Sequence, residues 1–124
     1  MTAPGAEDSA YVAAVLTLYL DLPDTPLRPS PLDQALARRL QQQAVPLPLV
    51  ESALLLTTLR RLSRPSELPP LPKIRSLSYF LPVIAELQEQ PLPDGYLDYL
   101  RLKLHRLSQV SRPHVQKNTF SDDR

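Results

Sequence analysis

Fifteen prolines in 124 residues constrain this chain more than any other feature of its sequence. Almost none falls inside a hydrophobic run, and they cluster between the runs, around residues 23–31, 46–48, 65–72 and 91–93. Proline has no amide hydrogen and its ring clashes with a helix interior, so it is found in first turns and in connections. The prolines therefore divide the chain into about five segments joined by stiff linkers.

The composition indicates that these segments are helices. Hydrophobic residues make up 43% of the chain, with leucine the most frequent, whereas aromatic residues make up 6%. Isoleucine occurs only at Ile74 and Ile84, so residues that favour strands are scarce. The two glycines, Gly5 and Gly95, offer little for tight hairpins. We predict an all-α fold, a single small bundle of about five helices joined by proline-rich linkers.

Hydrophobic periodicity gives the domain its limits. It predicts a helical domain over residues 9–110, a flexible N-terminal tail over residues 1–8 and a flexible C-terminal tail over residues 111–124. The five helices are predicted at about Ala10–Leu22, from the start signal at Ser30 to Gln43, from Leu47 or Pro48 to Arg64, at Ser76–Gln90 and at Gly95–Val110.

Two local signals refine these helices. Ser30, Pro31 and Asp33 form a start signal, because serine accepts an amide hydrogen bond, proline fits the first turn and an acid favours the positive end of the helix dipole. Pro82 lies six residues into the fourth helix. It predicts either a kink or a short first turn that ends before the proline.

Several classes of function find no support in the sequence. The absence of cysteine excludes disulfides, thiolate catalysis and cysteine-bound zinc. No apolar run approaches the roughly 20 residues that cross a membrane, and the acidic N-terminus is unlike a secretory signal, so we expect a cytoplasmic protein with no membrane partner. His105 and His114 lie nine residues apart and form no metal site unaided. We predict a protein that is not an enzyme and has no cofactor.

Charge is segregated along the chain although the net charge is only +1. Residues 1–24 contain acids and no Lys or Arg, whereas residues 60–75 and 101–117 are strongly basic. Grouped cations neutralise nucleic-acid phosphates, and a tyrosine beside them can stack on a base. The candidate nucleic-acid-binding residues are Arg60, Arg61, Arg64, Lys73, Arg75 and Tyr79. We expect the linker between them to bring these residues to one end of the bundle.

Three segments carry a resemblance to a known family. The first is Tyr19 followed by the leucines and the Ser-Pro helix start within residues 27–40. The second is the valine–acid–x–alanine sequence of residues 50–53. The third, within residues 76–87, is a tyrosine followed by paired aliphatic residues. Together they resemble the C-terminal helical domain of the DnaD family of replication-initiation proteins. Leu87 stands where that family often has tryptophan. The resemblance implies DNA binding and primosome or helicase-loader contacts, through Tyr79 and its basic neighbours.

Two hypotheses follow. The first is a small DNA-associated module, an accessory of a replication or mobile-element system, that contacts phosphates through the six candidate residues. The alternative is a protein-interaction adaptor or homo-oligomer that docks a partner on Leu68 and Leu71 of the linker, or on one side of the fifth helix. The placement of the basic groups on one face or on opposite faces discriminates between them.

Overall fold

The structure, a computed structural model, describes the backbone of residues 4–111 and the side chains of residues 9–107. This part of the chain is all-helical and contains no strand, as predicted. Its elements are α1 (Pro4–Leu20), α2 (Pro31–Gln42), α3 (Leu47–Leu62), a 3₁₀ helix (Leu77–Phe80), α4 (Leu81–Glu89) and α5 (Tyr96–Ser111).

The helix ends agree with the sequence except at α1 and α4. Helix α1 begins at Pro4, not near Ala10, so residues 4–8 are helical where the sequence predicted a tail. Proline is tolerated there because the first turn needs no amide donor. Residues 1–3 and 112–124, which hold the rest of the predicted tails, lie outside the described residues.

Pro82 breaks the predicted fourth helix instead of kinking it. A 3₁₀ helix ends at Phe80, and α4 starts at Leu81 with Pro82 in its first turn, where a missing N–H costs nothing. Ser76 caps the 3₁₀ helix, because its Oγ accepts a hydrogen bond from the N–H of Ser78 at 3.0 Å. Of the two predicted arrangements, the short first turn that ends before the proline is therefore the correct one.

Helix α3 is the centre of the bundle. It packs against α1, α4, α5 and the 3₁₀ helix, whereas α2 packs against α1 and the 3₁₀ helix. Val50, Ala53, Leu54 and Leu59 are all buried, which explains why the apolar residues of this helix cover more than one face. Helix α3 therefore contacts most of the other helical elements.

A buried carboxylate ties α2 to the 3₁₀ helix. The side chain of Asp33 is fully buried, and its Oδ2 accepts from the N–H of Ser30 at 2.9 Å. Its Oδ1 accepts from the N–H of Leu77, 44 residues further along the chain, also at 2.9 Å. The N–H of Asp33 in turn donates to Ser30 Oγ at 3.1 Å, which completes a capping box. One side chain thus closes a helix start and fixes a distant segment.

The largest buried side chain, Tyr19, has an unusual environment. Its ring packs edge-on against Phe80 with centroids 5.9 Å apart, but its buried hydroxyl has no hydrogen-bond partner among the described residues. Burial, with the charge of Asp33, raises the pKa of Tyr19 to about 12. Tyr11 differs, because its hydroxyl donates to the carbonyl of Val45 at 2.7 Å.

Replacing Asp33 by asparagine should lower the free energy of unfolding by about 2 kcal/mol, because the amide group can accept from only one of the two buried N–H groups. Urea unfolding of Asp33→Asn measures the loss. Asp21→Asn, which changes an exposed carboxylate, is the matched control and should be neutral. Equal stability of the two variants would contradict the role given to Asp33.

Removing the hydroxyls of Tyr19 and Tyr11 should have opposite effects. Tyr19→Phe deletes an unpaired buried polar group, so the free energy of unfolding should stay level or rise by up to about 1 kcal/mol. Tyr11→Phe leaves the carbonyl of Val45 without its donor and should lower it by about 1 kcal/mol. Thermal or urea unfolding compares the pair, and a larger loss in Tyr19→Phe than in Tyr11→Phe would contradict this reading.

The raised pKa of Tyr19 predicts how the stability of the protein responds to alkali, and the same variants test it. The unfolded chain releases the Tyr19 proton near its ordinary pKa of 10.0, whereas the folded chain keeps it to about 12. Stability is therefore intact below pH 10 and falls as the pH rises towards 12, with a slope of up to about 1.4 kcal/mol per pH unit from this residue. Burial also raises the pKa of Tyr11, which adds in the same direction. The fall should be shallower in Tyr19→Phe.

Candidate nucleic-acid interface

Two proline-rich connections lie side by side at one end of the bundle. The N–H of Ile74 in the second linker (residues 63–76) donates to the carbonyl of Asp24 in the first linker (residues 21–30) at 2.9 Å. Ile74 is buried beneath this contact. Asp24 adopts a left-handed backbone with φ of 66°, which short polar residues tolerate better than most. We name the surface formed by the two linkers and the last turn of α3 the linker face.

Arg61 clamps the linker face together. Its Nη2 donates to the carbonyl of Pro72 at 2.9 Å and lies 3.3 Å from Oδ2 of Asp24, while its Nη1 donates to the hydroxyl of Tyr79 at 2.9 Å. The guanidinium also lies 5.4 Å from the centre of the Tyr79 ring. Only 10% of this side chain is exposed. Arg61 therefore joins α3 to both linkers and to the 3₁₀ helix.

Arg60 points away from the linkers. Its guanidinium forms two hydrogen bonds, of 3.1 and 2.8 Å, to the carboxylate of Glu86 on α4. These bonds hold the pKa of Glu86 below its usual value and raise the pKa of Arg60. The charge of Arg60 is thus paired with α4 within the protein, and Arg60 makes no bond to either linker among the described residues.

Arg64 is only partly engaged. Its Nε donates to the carbonyl of Pro69 at 3.3 Å, and its two terminal nitrogens form no bond within the described residues. Arg64 is half-buried at the edge of a cavity of about 350 Å³ beneath residues 65–71, which we name the linker cavity.

Lys73 and Arg75 are the open charges of the linker face. Both are exposed and flank the buried Ile74, so both side chains point outward from the linker. Neither has a carboxylate partner within the described residues. They border a second cavity of about 450 Å³, together with Leu27, which is 69% exposed.

Tyr79 is held in place but remains accessible. Its ring packs edge-on against Phe80 with centroids 5.5 Å apart, and Arg61 binds its hydroxyl. The residue is nevertheless 43% exposed. The ring is therefore positioned by Phe80 and Arg61 while part of its surface faces solvent.

The structure thus gathers Arg61, Arg64 and Tyr79 with the linker that carries Lys73 and Arg75. The sequence did not indicate the carboxylates that bind two of the candidate arginines. Asp24 binds Arg61, and Glu86 binds Arg60. Asp24 lies between prolines, a turn signal, but nothing in the sequence indicates a partner 37 residues away.

The basic region of α5 lies elsewhere and is partly paired. Arg101 forms two bonds of 2.8 Å to Glu51 of α3 and one of 3.2 Å to Asp98. These contacts raise the pKa of Arg101, chiefly through the hydrogen bonds to Glu51. Lys103 lies 5.9 Å from the ring centre of Tyr99. Arg101 therefore attaches α5 to α3.

The described residues contain no cluster of three His, Asp or Glu side chains that could hold a metal ion; His105 is exposed, and His114 lies outside this part of the chain. None of the helices seen between residues 4 and 111 has the length and apolarity needed to cross a membrane.

Compared with known proteins, the chain matches no family model, no curated protein and no solved structure. The resemblance to the DnaD family therefore stays a prediction from the sequence.

Replacing Arg61 should loosen the linker face more than replacing its neighbour. Arg61→Gln loses the contacts to Asp24, Pro72 and Tyr79 and should lower the free energy of unfolding by about 1–2 kcal/mol. Hydrogen exchange of residues 72–79 should accelerate with it. Arg60→Gln removes a solvent-exposed pair and should change neither measurement. Similar effects of the two variants would contradict the clamp.

Proposed function

We propose that this protein is a non-enzymatic, nucleic-acid-associated module that binds phosphates on its linker face. The observation that carries this proposal is the pair Lys73 and Arg75. Both are exposed, both point outward from the same segment, and neither is neutralised by a carboxylate within the described residues. Most other cations of the candidate set are occupied by internal contacts, so this pair carries most of the set's free charge.

The rigidity of the linker face favours this function. Prolines restrict the second linker, and the bond from Ile74 to Asp24 fixes the segment that carries the two cations. A cation held on a fixed backbone loses less conformational entropy when it meets a phosphate than one on a mobile tail. Binding phosphates also releases counterions, which supplies sequence-independent affinity.

The other candidate residues have different tasks in this proposal. Tyr79 offers a partly open ring beside the cations, on which a base can stack. Arg61 positions Tyr79 and the linker, and Arg64 adds charge through its unbonded terminal nitrogens. Arg60 contributes less, because Glu86 already binds it.

The cellular setting rests on the sequence alone. A role as a replication or mobile-element accessory in the cytoplasm is what the DnaD resemblance implies. The linker face supports contact with phosphates.

A second function, docking of a protein partner, is supported by a separate feature. Leu68 is 43% exposed and lines the linker cavity with the half-buried Leu71. These are the two residues that the sequence indicated for such a contact. On α5, Tyr99 and Leu102 are also exposed, at 47% and 49%.

Removing the two open charges should weaken DNA binding and reduce its dependence on salt. In the double variant Lys73→Gln, Arg75→Gln, the slope of log affinity against log salt should become shallower by about two, since each phosphate contact adds about one. Fluorescence anisotropy with labelled single- and double-stranded DNA, at two salt concentrations, measures this. The matched control is Arg38→Gln, Arg39→Gln, which removes two exposed charges from α2.

Three results would count against the proposal. No binding at low salt, or a salt slope near zero in the unmodified protein, removes the phosphate function. Equal losses in the two double variants would place the contacts outside the linker face.

A further inference from the structure

The linker cavity is a preformed space between a helix and a proline-rich arch. It is lined by Thr58 and Leu62 near the end of α3 and by most of the segment of residues 65–71, the roof. Two arginines hold this segment. Arg64 of the second linker binds the carbonyl of Pro69, and Arg61 of α3 binds that of Pro72, which follows the segment. A partner that enters this space meets walls that are already ordered, which lowers the entropic cost of binding.

The walls are mainly apolar. Leu62, Leu68 and Leu71 line the cavity, and Leu68 remains 43% exposed although it is part of the roof. A volume of about 350 Å³ is at the small end of the range for ligand sites, so it suits one large side chain better than a whole cofactor. The cavity therefore selects an apolar group of limited size.

The residues that line the cavity include two arginines and one carboxylate, and this charge is incompletely paired. Asp24 also lines the cavity, but its carboxylate lies against the guanidinium of Arg61. Arg64 keeps two terminal nitrogens without a partner within the described residues. These nitrogens belong to a planar fork that matches the two oxygens of a carboxylate. An acidic group next to the apolar one would complete the set of contacts.

From this geometry we infer that the linker cavity binds an acidic peptide segment of a protein partner. A leucine or phenylalanine side chain fills the space between Leu62, Leu68 and Leu71, and a neighbouring Asp or Glu binds the terminal nitrogens of Arg64. The inference rests on the second proposed function, protein docking, and gives the chemistry of the partner.

The linker cavity does not include the two main phosphate-binding residues. Lys73 and Arg75 border the other cavity of the linker face, and the linker cavity contains no aromatic ring on which a base could stack. A nucleic acid would therefore depend chiefly on Lys73 and Arg75, whereas an acidic peptide would depend on Arg64 and Leu68. This separation allows the two functions to be tested independently.

The test starts with a random peptide library selected against the immobilised full-length chain. We expect the enriched peptides to carry Asp or Glu beside Leu or Phe. Binding of the best peptide, followed by fluorescence anisotropy, should fall about tenfold or more in Arg64→Gln and in Leu68→Ser, because a charge-assisted bond or an apolar contact is lost. Arg28→Gln, which removes an exposed charge from the first linker, should bind as the unmodified chain does.

A second variant protects the result from a folding artefact. Arg64→Lys keeps the charge but not the planar fork, and it should bind more weakly than the unmodified chain while its circular dichroism is unchanged. Failure to select any peptide overturns the inference together with the docking function. Peptides that lack acidic residues, or that are lost in Lys73→Gln, Arg75→Gln but not in Arg64→Gln, overturn the inference and leave docking in place.

Discussion

The buried carboxylate of Asp33 sets the arrangement on which the linker face depends. It closes the start of α2 through Ser30 and, with its second oxygen, holds the first residue of the 3₁₀ helix, Leu77. A buried charge is costly unless its oxygens are hydrogen-bonded, and here both accept from backbone N–H groups near the positive end of a helix. Because Tyr79 lies two residues beyond Leu77, this contact also fixes the ring that the linker face presents.

Prolines restrict the backbone of this protein in the segments between the helices. Each linker has few accessible conformations because it is short and rich in proline, so a few hydrogen bonds are enough to fix it. The bond from Ile74 to Asp24 and the contacts of Arg61 are examples. The result is a surface made mostly of connections that nevertheless has defined cavities and defined charges, which is the property a binding surface needs.

Local features of the fold could be predicted from the sequence because their causes are local. The start of α2 follows from Ser30, Pro31 and Asp33, and the break before α4 follows from the ring of Pro82. The start of α1 was missed, because a proline at residue 4 can open a helix as readily as it can interrupt one.

The pairing of charges could not be predicted in the same way. The sequence indicated Arg60 and Arg61 as neighbours with one role, yet adjacent helix positions point about 100° apart. One arginine therefore meets α4 and the other meets the linkers. The second contact of Asp33 spans 44 residues and depends on how the helices pack. Such contacts are set by tertiary structure and leave no local signal.

Asp24 limits which substitutions the linker face can tolerate. Asp24 meets three separate requirements. Its backbone is left-handed, its carbonyl accepts from Ile74, and its carboxylate binds Arg61. Glycine would satisfy the backbone and lose the ion pair, asparagine would keep the shape and lose the charge, and a β-branched residue would fail at the first demand. Few natural replacements are compatible with that position, although half of its side chain faces solvent.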